Sequence, residues 1–310
     1  MSKLSLVIPV YYNELNLNDL YLDIKSKILS VVDDYELIFV DDDSKDRSLE
    51  ILKELKKIDH KIKIVKLSRN FGSHAAILAG INYASGDCVA MKTADLQEPS
   101  EIIVEMYNLW KKGNNVVLAI REKREDSFIS RFFSNSYYNL VRKIAIKNMP
   151  KGGFDCFLID KKVVEVLRIM DEKNSTLMGQ ILWSGFKTEF VYYTRLKRKK
   201  GKSKWTLIKK IKLFTDSILS FSFVPIRFVT ILGIFIELFT IIYMGFIMYA
   251  RFNKGIGVEG WTALMLINLF FFGLIFLTLG IIGEYIWRIL DACRSRPTFI
   301  VEDVFIDKEV

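Results

Sequence analysis

Short apolar runs alternate with longer amphipathic segments along the N-terminal part of the chain. The apolar runs end in polar residues or glycine, as buried strands do, and the segments between them have helical periodicity. The predicted strands are Leu4–Val10, Glu36–Asp41, Ile62–Leu67, Asp87–Lys92 and Asn115–Ile120. The predicted helices are Leu15–Leu29, Arg47–Ile58, His74–Ala84 and Glu101–Lys112. This order predicts an α/β fold with a mainly parallel sheet and helices on both faces.

Two long stretches near the C-terminus are almost entirely apolar. Phe228–Ala250 has 23 residues with one acid, Glu237, and Trp261–Gly283 has 23 residues without a charge. Since about 20 apolar residues span the core of a bilayer, both stretches predict transmembrane helices. The intervening residues, Arg251–Gly260, predict a tight loop, so the two helices would form a hairpin. Buried core helices are the alternative, but two in tandem would need a very large soluble core.

Basic residues concentrate directly before the first apolar stretch. The chain has a formal net charge of +9, and residues 194–227 contain eleven Lys and Arg against one Asp. Because positive residues favour the cytoplasmic side of a span, we expect both termini in the cytoplasm and the hairpin in the plasma (inner) membrane. Trp205–Phe223 places Lys among apolar residues at helical spacing, which predicts an interfacial helix on anionic lipids. Nucleic-acid binding is the alternative for a basic run, but the adjacent span favours lipid, so we expect no nucleic-acid partner.

These patterns divide the chain into four predicted parts. Residues 1–200 form the α/β domain, 201–226 the basic interfacial segment, 227–290 the hairpin and 291–310 a cytoplasmic tail. In the tail, Thr298–Val301 and Val304–Ile306 are rich in β-branched and aromatic residues, which predicts a strand. A lone strand must pair with a sheet edge, in this chain or in a neighbouring subunit. On this ground we expect a homo-oligomer.

Polar and charged residues gather where the predicted strands end. They follow four strands in turn, at Tyr11–Glu14, Asp41–Ser44, Ser68–Gly72 and Thr93–Gln97. Helix capping explains a single Asp or Ser, and for Asp43 and Ser44 it is the better interpretation. It does not explain acids and amides at four strand ends. Because ligands of parallel sheets bind beyond the carboxyl ends of the strands, the sequence predicts one shared ligand site there.

Several common sites are excluded by composition and motif. The three cysteines form no CxxC pair and the chain has two histidines, which nearly excludes a Cys/His zinc site. Neither GxGxxG nor GxxxxGK[ST] occurs, so neither a dinucleotide fingerprint nor a P-loop is indicated. A nucleotide diphosphate could instead be held through a divalent cation on a carboxylate.

Several stretches resemble one known enzyme family over nearly the whole chain. The sequences at Val7–Tyr11, Val40–Asp46, Asn70–Gly72 and Ala94–Pro99 resemble the GT-A family 2 glycosyltransferases. Further matches, at Asp155, Arg198-x-x-Gly201-x-Ser203-Lys204-Trp205 and Phe221–Pro225, are similar to the polyprenyl-phosphate glycosyltransferases of the bactoprenol glucosyltransferase and dolichol-phosphate-mannose synthase group. The resemblance implies a GT-A fold followed by the interfacial helix and the two-helix transmembrane hairpin.

The resemblance also implies an activity and a set of residues. One hexose would pass, with inversion, from a nucleotide sugar such as UDP-glucose or UDP-N-acetylglucosamine to undecaprenyl or another polyprenyl phosphate. The product would be a donor for cell-surface and cell-wall glycan modification. Asp155 and Asp95 would be catalytic, with Mg²⁺ or Mn²⁺ at Asp95. The implied nucleotide-sugar-binding residues are Pro9, Tyr11, Glu14, Asp41, Asn70 and Asp95. The candidates for binding the acceptor phosphate are Arg121, Arg131, Arg198, Ser203 and Lys204.

One departure from the family pattern concerns the metal. The family usually has an acid two positions before Asp95, where this chain has Thr93, so a single carboxylate is predicted to carry the cation. One alternative is therefore a membrane-anchored sugar-nucleotide-binding protein with weakened catalysis. Another is a processive polysaccharide synthase, but its QxxRW motif is absent: Gln180-Ile181-Leu182-Trp183 lacks the Arg and the spacing.

Overall fold

The computed structural model describes residues 2–123, 138–150, 153–154, 156–170, 172, 174–196, 207–222, 224–254 and 260–307. The predicted positions Arg131, Asp155, Arg198, Ser203 and Lys204 lie outside these residues. The chain separates into two compact units. Unit 1 comprises Met1–Ser217 and Pro297–Val310, and unit 2 comprises Ile218–Arg296.

Unit 1 contains all the described strands. They are β1 (Lys3–Val10), β2 (Asp34–Asp41), β3 (Ile62–Leu67), β4 (Cys88–Met91), β5 (Val116–Lys123), β6 (Cys156–Asp160), β7 (Thr188–Thr194) and β8 (Val301–Phe305). Its helices are α1 (Leu17–Lys27), α2 (Ser48–Ile58), α3 (Ser73–Tyr83), α4 (Glu101–Lys111), α5 (Lys161–Ile169) and α6 (Leu177–Trp183). The first five predicted strands and four predicted helices are therefore confirmed to within a few residues.

The strands form one eight-stranded sheet in the order β7-β5-β6-β4-β1-β2-β3-β8. Four of its pairings are parallel, joining β1 to β2, β1 to β4, β2 to β3 and β5 to β7. Both β6 and β8 run antiparallel to their neighbours. The strand order changes direction at β1, because β2 and β3 lie on one side of it and β4 on the other. Such a switch point opens a crevice at the carboxyl ends of β1 and β4.

Helices cover both faces of the sheet, as predicted. On one face, Leu6 and Phe39 belong to a buried cluster with residues of α1, α2 and α4, such as Leu20, Leu52 and Met106. On the other face α3 packs on β1 and β2. Gly80 of α3 lies so near β1 that an added Cβ would be 2.3 Å from Val7 Cγ1, which no side chain could tolerate. Burial of both faces explains why the strands are continuous apolar runs.

The remaining long helices are α7 (Leu207–Phe221), α8 (Val224–Lys254) and α9 (Trp261–Cys293). Phe270–Cys293 is long and apolar enough to cross a membrane, with a mean hydropathy of 1.8. A second candidate is a bent pair of helical segments that is long and apolar enough only when its two parts are taken together. The parts are Leu213–Phe221 and Val224–Ile236, with a bend of 76° between them. Among the described residues, one helix thus qualifies alone, and it overlaps the second predicted apolar stretch over residues 270–283. The complete two-helix hairpin stays a prediction.

The tail strand is confirmed, and its partner is in the same chain. Strand β8 pairs antiparallel with β3, and Ser68 N–H donates to Ile300 O at 3.0 Å just beyond the pairing. Ion pairs join Lys66 to Glu302 and Lys56 to Asp307. We expected a homo-oligomer because the tail strand needs another strand to pair with. Strand β8 pairs with β3 of the same chain, so the strand no longer supports the homo-oligomer, which stays a prediction.

We expect Phe305 to fasten the tail to unit 1. Its ring packs against the buried cluster and lies 4.4 Å from Lys53 Nζ. Phe305→Ala should destabilise unit 1 by about 2 kcal/mol, roughly half the value for a fully buried Phe. That corresponds to a fall in Tm of about 4–8 °C for a domain of this size, measured by near-ultraviolet circular dichroism of the full chain in detergent. Val304→Ala, on the exposed side of the same strand, is the matched control. Equal Tm values for the two variants would refute this role of Phe305.

Candidate functional site at the carboxyl edge of the sheet

The loops after β1 and β2 are tied together by hydrogen bonds. Tyr12 N–H donates to Ser44 Oγ, and Asn13 N–H donates to Ser48 Oγ, both at 3.0 Å. At the base of the two loops, Asp42 N–H donates to Val10 O at 2.9 Å. The two loops therefore form one framework over the ends of these strands.

Asp42 extends this framework to the loop after β3. Its buried carboxylate accepts hydrogen bonds from Phe71 N–H at 2.7 Å, Gly72 N–H at 2.9 Å and Asn70 Nδ2 at 3.0 Å. Burial raises the pKa of the Asp42 carboxyl, while the bonds from Phe71 and Gly72 oppose that rise. Asp42 thus fixes the position of Asn70, a residue implied to contact the donor.

Asp41 is fully buried and incompletely bonded. Its Oδ1 accepts from Ser44 N–H at 3.2 Å, but its Oδ2 has no hydrogen-bond partner within the described part of the chain. Burial raises the pKa of this carboxyl above its usual value of 3.8. A buried polar atom without a partner costs about 1–3 kcal/mol, so such an atom at a strand end is a candidate contact for a ligand.

Backbone strain is concentrated in the same loops. Tyr12, Asp43 and Leu96 have positive φ angles of 55°, 59° and 58°, and Gly72 has one of 98°. Residues other than glycine rarely adopt this region, and they do so most often at functional sites. These four residues follow β1, β2, β4 and β3, respectively, at one edge of the sheet.

The loop after β4 places two carboxylates around one hydroxyl. Thr93 Oγ1 lies within hydrogen-bond distance of Asp95 Oδ1, at 2.9 Å, and of Glu98 Oε2. Asp95 Oδ1 also accepts from Gln97 N–H at 3.2 Å. Glu98 is buried, and buried Lys92 donates from Nζ to its main-chain oxygen at 2.7 Å. Lys92 thus supports this loop from the protein interior.

A second set of bonds joins this loop to the end of β7. Arg195 Nη2 donates to Gln97 Oε1 at 2.6 Å, Leu196 N–H donates to Gln97 O at 2.9 Å, and Gln97 Nε2 donates to Leu196 O at 3.3 Å. These bonds hold Arg195 and Leu196 beside the Asp95 loop.

The other predicted donor residues lie on the same edge. Pro9 pairs in register with Val40, and Tyr11 follows β1, where burial raises the pKa of its hydroxyl. Glu14 is partly engaged, because its Oε2 accepts from Arg47 N–H at 3.0 Å at the start of α2. Arg121, a candidate for binding the acceptor phosphate, lies in β5 opposite Tyr193 of β7. The pairing of these two strands shifts register just after Arg121.

The capping interpretation of Asp43 and Ser44 is wrong. Helix α2 begins at Ser48, four residues after Ser44. A different carboxylate bonds to its first residue, because Asp46 Oδ1 accepts from Ser48 N–H at 3.1 Å. Asp43 pairs with Lys45, while Ser44 links the loops after β1 and β2.

The Asp95 loop fits a cation of the Mg²⁺ type. Its candidate ligands, two carboxylates and a hydroxyl, are all oxygen donors. Mg²⁺ prefers oxygen and commonly uses one or two carboxylates with substrate phosphates, and Mn²⁺ accepts similar ligands. Among the residues described here, no three His, Cys, Asp or Glu side chains group to hold a metal. A cation in this loop would therefore complete its coordination with substrate or water.

Comparison with known proteins identifies the family. The sequence matches Glycosyl transferase family 2 over residues 5–228. The chain belongs to this family.

Its relatives extend the similarity beyond that range. "Uncharacterized glycosyltransferase YkcC" of Bacillus subtilis (strain 168) is 39% identical over 299 residues, 96% of this chain and 93% of that protein. "SfII prophage-derived bactoprenol glucosyl transferase" of Shigella flexneri is 32% identical over 301 residues, 97% of each chain. A crystal structure of S. aureus TarS 1-349 in complex with UDP-GlcNAc aligns with a TM-score of 0.47 at 15% identity, covering 71% of this chain and 67% of that one.

Within this glycosyltransferase, sequence reasoning missed the loop contacts of Asp42, Glu98 and Arg195. No local pattern indicated that the side chain of Glu98 would reach the Thr93 hydroxyl. Nothing in the local pattern distinguishes Asp42 from Asp41. Arg195 is one of eleven basic residues between positions 194 and 227, so the sequence does not distinguish it from the other ten.

We expect Asp41→Asn to stabilise the protein without ligand at pH 7. A carboxyl whose pKa is higher in the folded than in the unfolded state lowers stability at pH values above both. The folded protein takes up that proton first as the pH falls, so the penalty disappears below the unfolded pKa. The Tm of the variant should therefore exceed that of the wild type at pH 7, and the difference should vanish below about pH 4.

The matched control is Asp43→Asn, which removes an ion pair with Lys45 from the same loop. Its Tm at pH 7 should equal or fall below that of the wild type. If Asp41→Asn also lowers Tm at pH 7, the groups around Asp41 stabilise its charged form despite burial, and the argument fails.

Proposed function

We propose that this glycosyltransferase moves a single hexose, with inversion, from a UDP-sugar such as UDP-glucose or UDP-N-acetylglucosamine to undecaprenyl or another polyprenyl phosphate. The observation that carries the proposal is that one chain combines a strand-end site suited to a nucleotide sugar with long helices whose apolar side chains are exposed. A lipid acceptor requires both. The lipid product would serve as a sugar donor for glycans at the cell surface.

The carboxylate of Asp41 favours a nucleotide sugar whose base can donate a hydrogen bond. Its buried, unpartnered Oδ2 can accept only from an N–H or O–H group. Uracil and guanine offer a ring N–H, whereas cytosine and adenine would have to donate from an exocyclic amino group. The base and ribose would lie against Pro9, Tyr11, Glu14 and Asp41, with Asn70 contacting the donor from the third strand.

The leaving nucleoside diphosphate gains negative charge as the sugar departs. A divalent cation held at Asp95 would offset that charge when bound. The main chain of the loop keeps Asp95 in place through Gln97 N–H, and the bonds of Gln97 to Arg195 and Leu196 keep the loop itself in place.

The acceptor needs cations more than it needs a strong base. The second pKa of a phosphate monoester is about 6, so the acceptor is already a nucleophilic anion at neutral pH. Arg121, Arg131, Arg198, Ser203 and Lys204 would bind it. Asp155 would orient acceptor and sugar or act as a base. It directly precedes Cys156, and the register sets Cys156 beside Ala119 on β5 at this edge of the sheet.

Exposed apolar surface supports anchoring in the membrane. Large side chains of α8 and α9 are strongly exposed, among them Ile242 and Phe276 at 71% and Phe246 at 64%. Soluble monomers rarely expose contiguous apolar patches of this kind. The similarity to bactoprenol glucosyl transferases also runs through these helices, because it covers 97% of the chain. In this proposal α7 lies on anionic lipid, and α8 and α9 form the two spans.

The reaction can be tested directly with the full chain in proteoliposomes. Labelled UDP-glucose, UDP-N-acetylglucosamine, GDP-mannose and CDP-glucose would each be offered with undecaprenyl phosphate. We expect label from one UDP-sugar in the organic-extractable lipid. Asp155→Asn and Asp95→Asn should lower the rate by about a hundredfold or more, as loss of an acid–base group or metal ligand does. Glu54→Gln, an exposed acid on α2, is the control. Transfer without undecaprenyl phosphate, or no transfer from any donor, would contradict the proposal.

The native cysteines give a test of topology. Cys88 and Cys156 are buried, and burial raises the pKa of the Cys88 thiol, whereas Cys293 at the end of α9 is exposed. If the hairpin crosses the membrane twice, a membrane-impermeant maleimide should label Cys293 in inverted vesicles and not in spheroplasts. Cys293→Ser should abolish that labelling.

The complementary variant is Val258→Cys in the Cys293→Ser background, which places a thiol in the predicted loop. It should be labelled in spheroplasts. Labelling of Cys293 from outside the cell would overturn the proposed orientation.

A further inference from the structure

Two carboxylates reach the hydroxyl of Thr93. Thr93 Oγ1 is within hydrogen-bond distance of Asp95 Oδ1 and Glu98 Oε2. Asp95 Oδ1 also accepts from Gln97 N–H at 3.2 Å. Two acids thus approach one hydroxyl, and together they offer the oxygen ligands that a divalent cation prefers.

The position of Glu98 is fixed by the surrounding chain. Glu98 is 3% exposed, and its main-chain oxygen accepts from Lys92 Nζ at 2.7 Å. Pro99 follows it, which restricts the backbone of Glu98 to extended conformations. Leu96, with φ of 58°, turns the chain between the two acids so that both reach Thr93. The convergence of Asp95 and Glu98 is thus part of the loop's structure.

Two converging carboxylates repel each other unless a proton or a cation accompanies them. A divalent cation is suited to this place because it takes oxygen ligands and can bridge two acids and a diphosphate. An acid at position 93 would offer a second carboxylate from the sequence motif itself, and this chain lacks one there.

We propose that Glu98 supplies the second carboxylate of the divalent-cation site, in place of an acid at position 93, and that the Thr93 hydroxyl aligns Asp95 and Glu98 for the cation. The inference rests on the proposed function, since that function is the reason to expect a cation at this loop. It replaces the single-carboxylate site predicted from sequence by a site with two.

The competing explanation is structural. In that case Glu98 only braces the loop through its bond with Thr93, and Gln, which has the same length and can make the same bond, would replace it without affecting a cation. Measurement of Mn²⁺ binding separates the two explanations, because it needs neither sugar donor nor lipid acceptor.

The experiment titrates the full chain in detergent with Mn²⁺ alone and follows free Mn²⁺ by electron paramagnetic resonance. Glu98→Gln should raise the Kd by about tenfold or more, as loss of groups that support a metal site does. Thr93→Asp/Glu98→Gln returns a second carboxylate at position 93 and should bring the Kd back to within about threefold of wild type. Glu105→Gln, an exposed acid on α4, is the matched control and should leave the Kd unchanged.

An unchanged Kd in Glu98→Gln, or a double variant as weak as Glu98→Gln, would overturn the proposal. If Glu98→Gln does not fold, Glu98→Asp decides, because it keeps the charge but withdraws it by one methylene. Its Kd should rise several-fold, and an unchanged Kd would again overturn the proposal. If the protein makes no glycolipid but its Mn²⁺ binding still depends on Glu98, the proposed lipid acceptor is wrong and the proposed cation site is still supported.

Discussion

Buried negative charge at the carboxyl edge of the sheet is the constraint on which the site depends. Parallel pairing of β1 with β2 and β4 brings their ends to one edge, and Asp41, Asp42 and Glu98 are all nearly inaccessible there. A buried carboxylate is unfavourable unless it is hydrogen-bonded or paired. The loops are accordingly arranged around these acids, and each acid is satisfied to a different degree.

The degree of satisfaction separates structural acids from candidate binding acids. Asp42 accepts three hydrogen bonds from the loop after β3, so its carboxylate is engaged in holding that loop. Asp41 retains an oxygen without a partner in the described residues, and the carboxylates of Asp95 and Glu98 both reach the Thr93 hydroxyl. A base N–H would complete Asp41, and a divalent cation suits the pair of acids at Thr93. A nucleotide sugar with its metal provides both groups.

Local pattern was sufficient to predict the first five strands, the four helices between them and the tail strand, because apolar runs and helical periodicity are properties of neighbouring residues. It did not predict that β6 lies antiparallel between β4 and β5, since that placement depends on pairing between distant segments. The roles of Asp42 and Glu98 were hidden for a similar reason. They depend on turns made by Asp43 and Leu96 at positive φ, and neither residue is the glycine that usually signals such a turn.

A structure of the full chain with UDP and Mn²⁺ bound tests the central claim most directly, because that claim concerns which acids remain available to a ligand. The account predicts the uracil N3–H within hydrogen-bond distance of Asp41 Oδ2 and Mn²⁺ coordinated by Asp95 and Glu98 with the diphosphate. A base bound away from Asp41, or a cation that Glu98 does not coordinate, would contradict it.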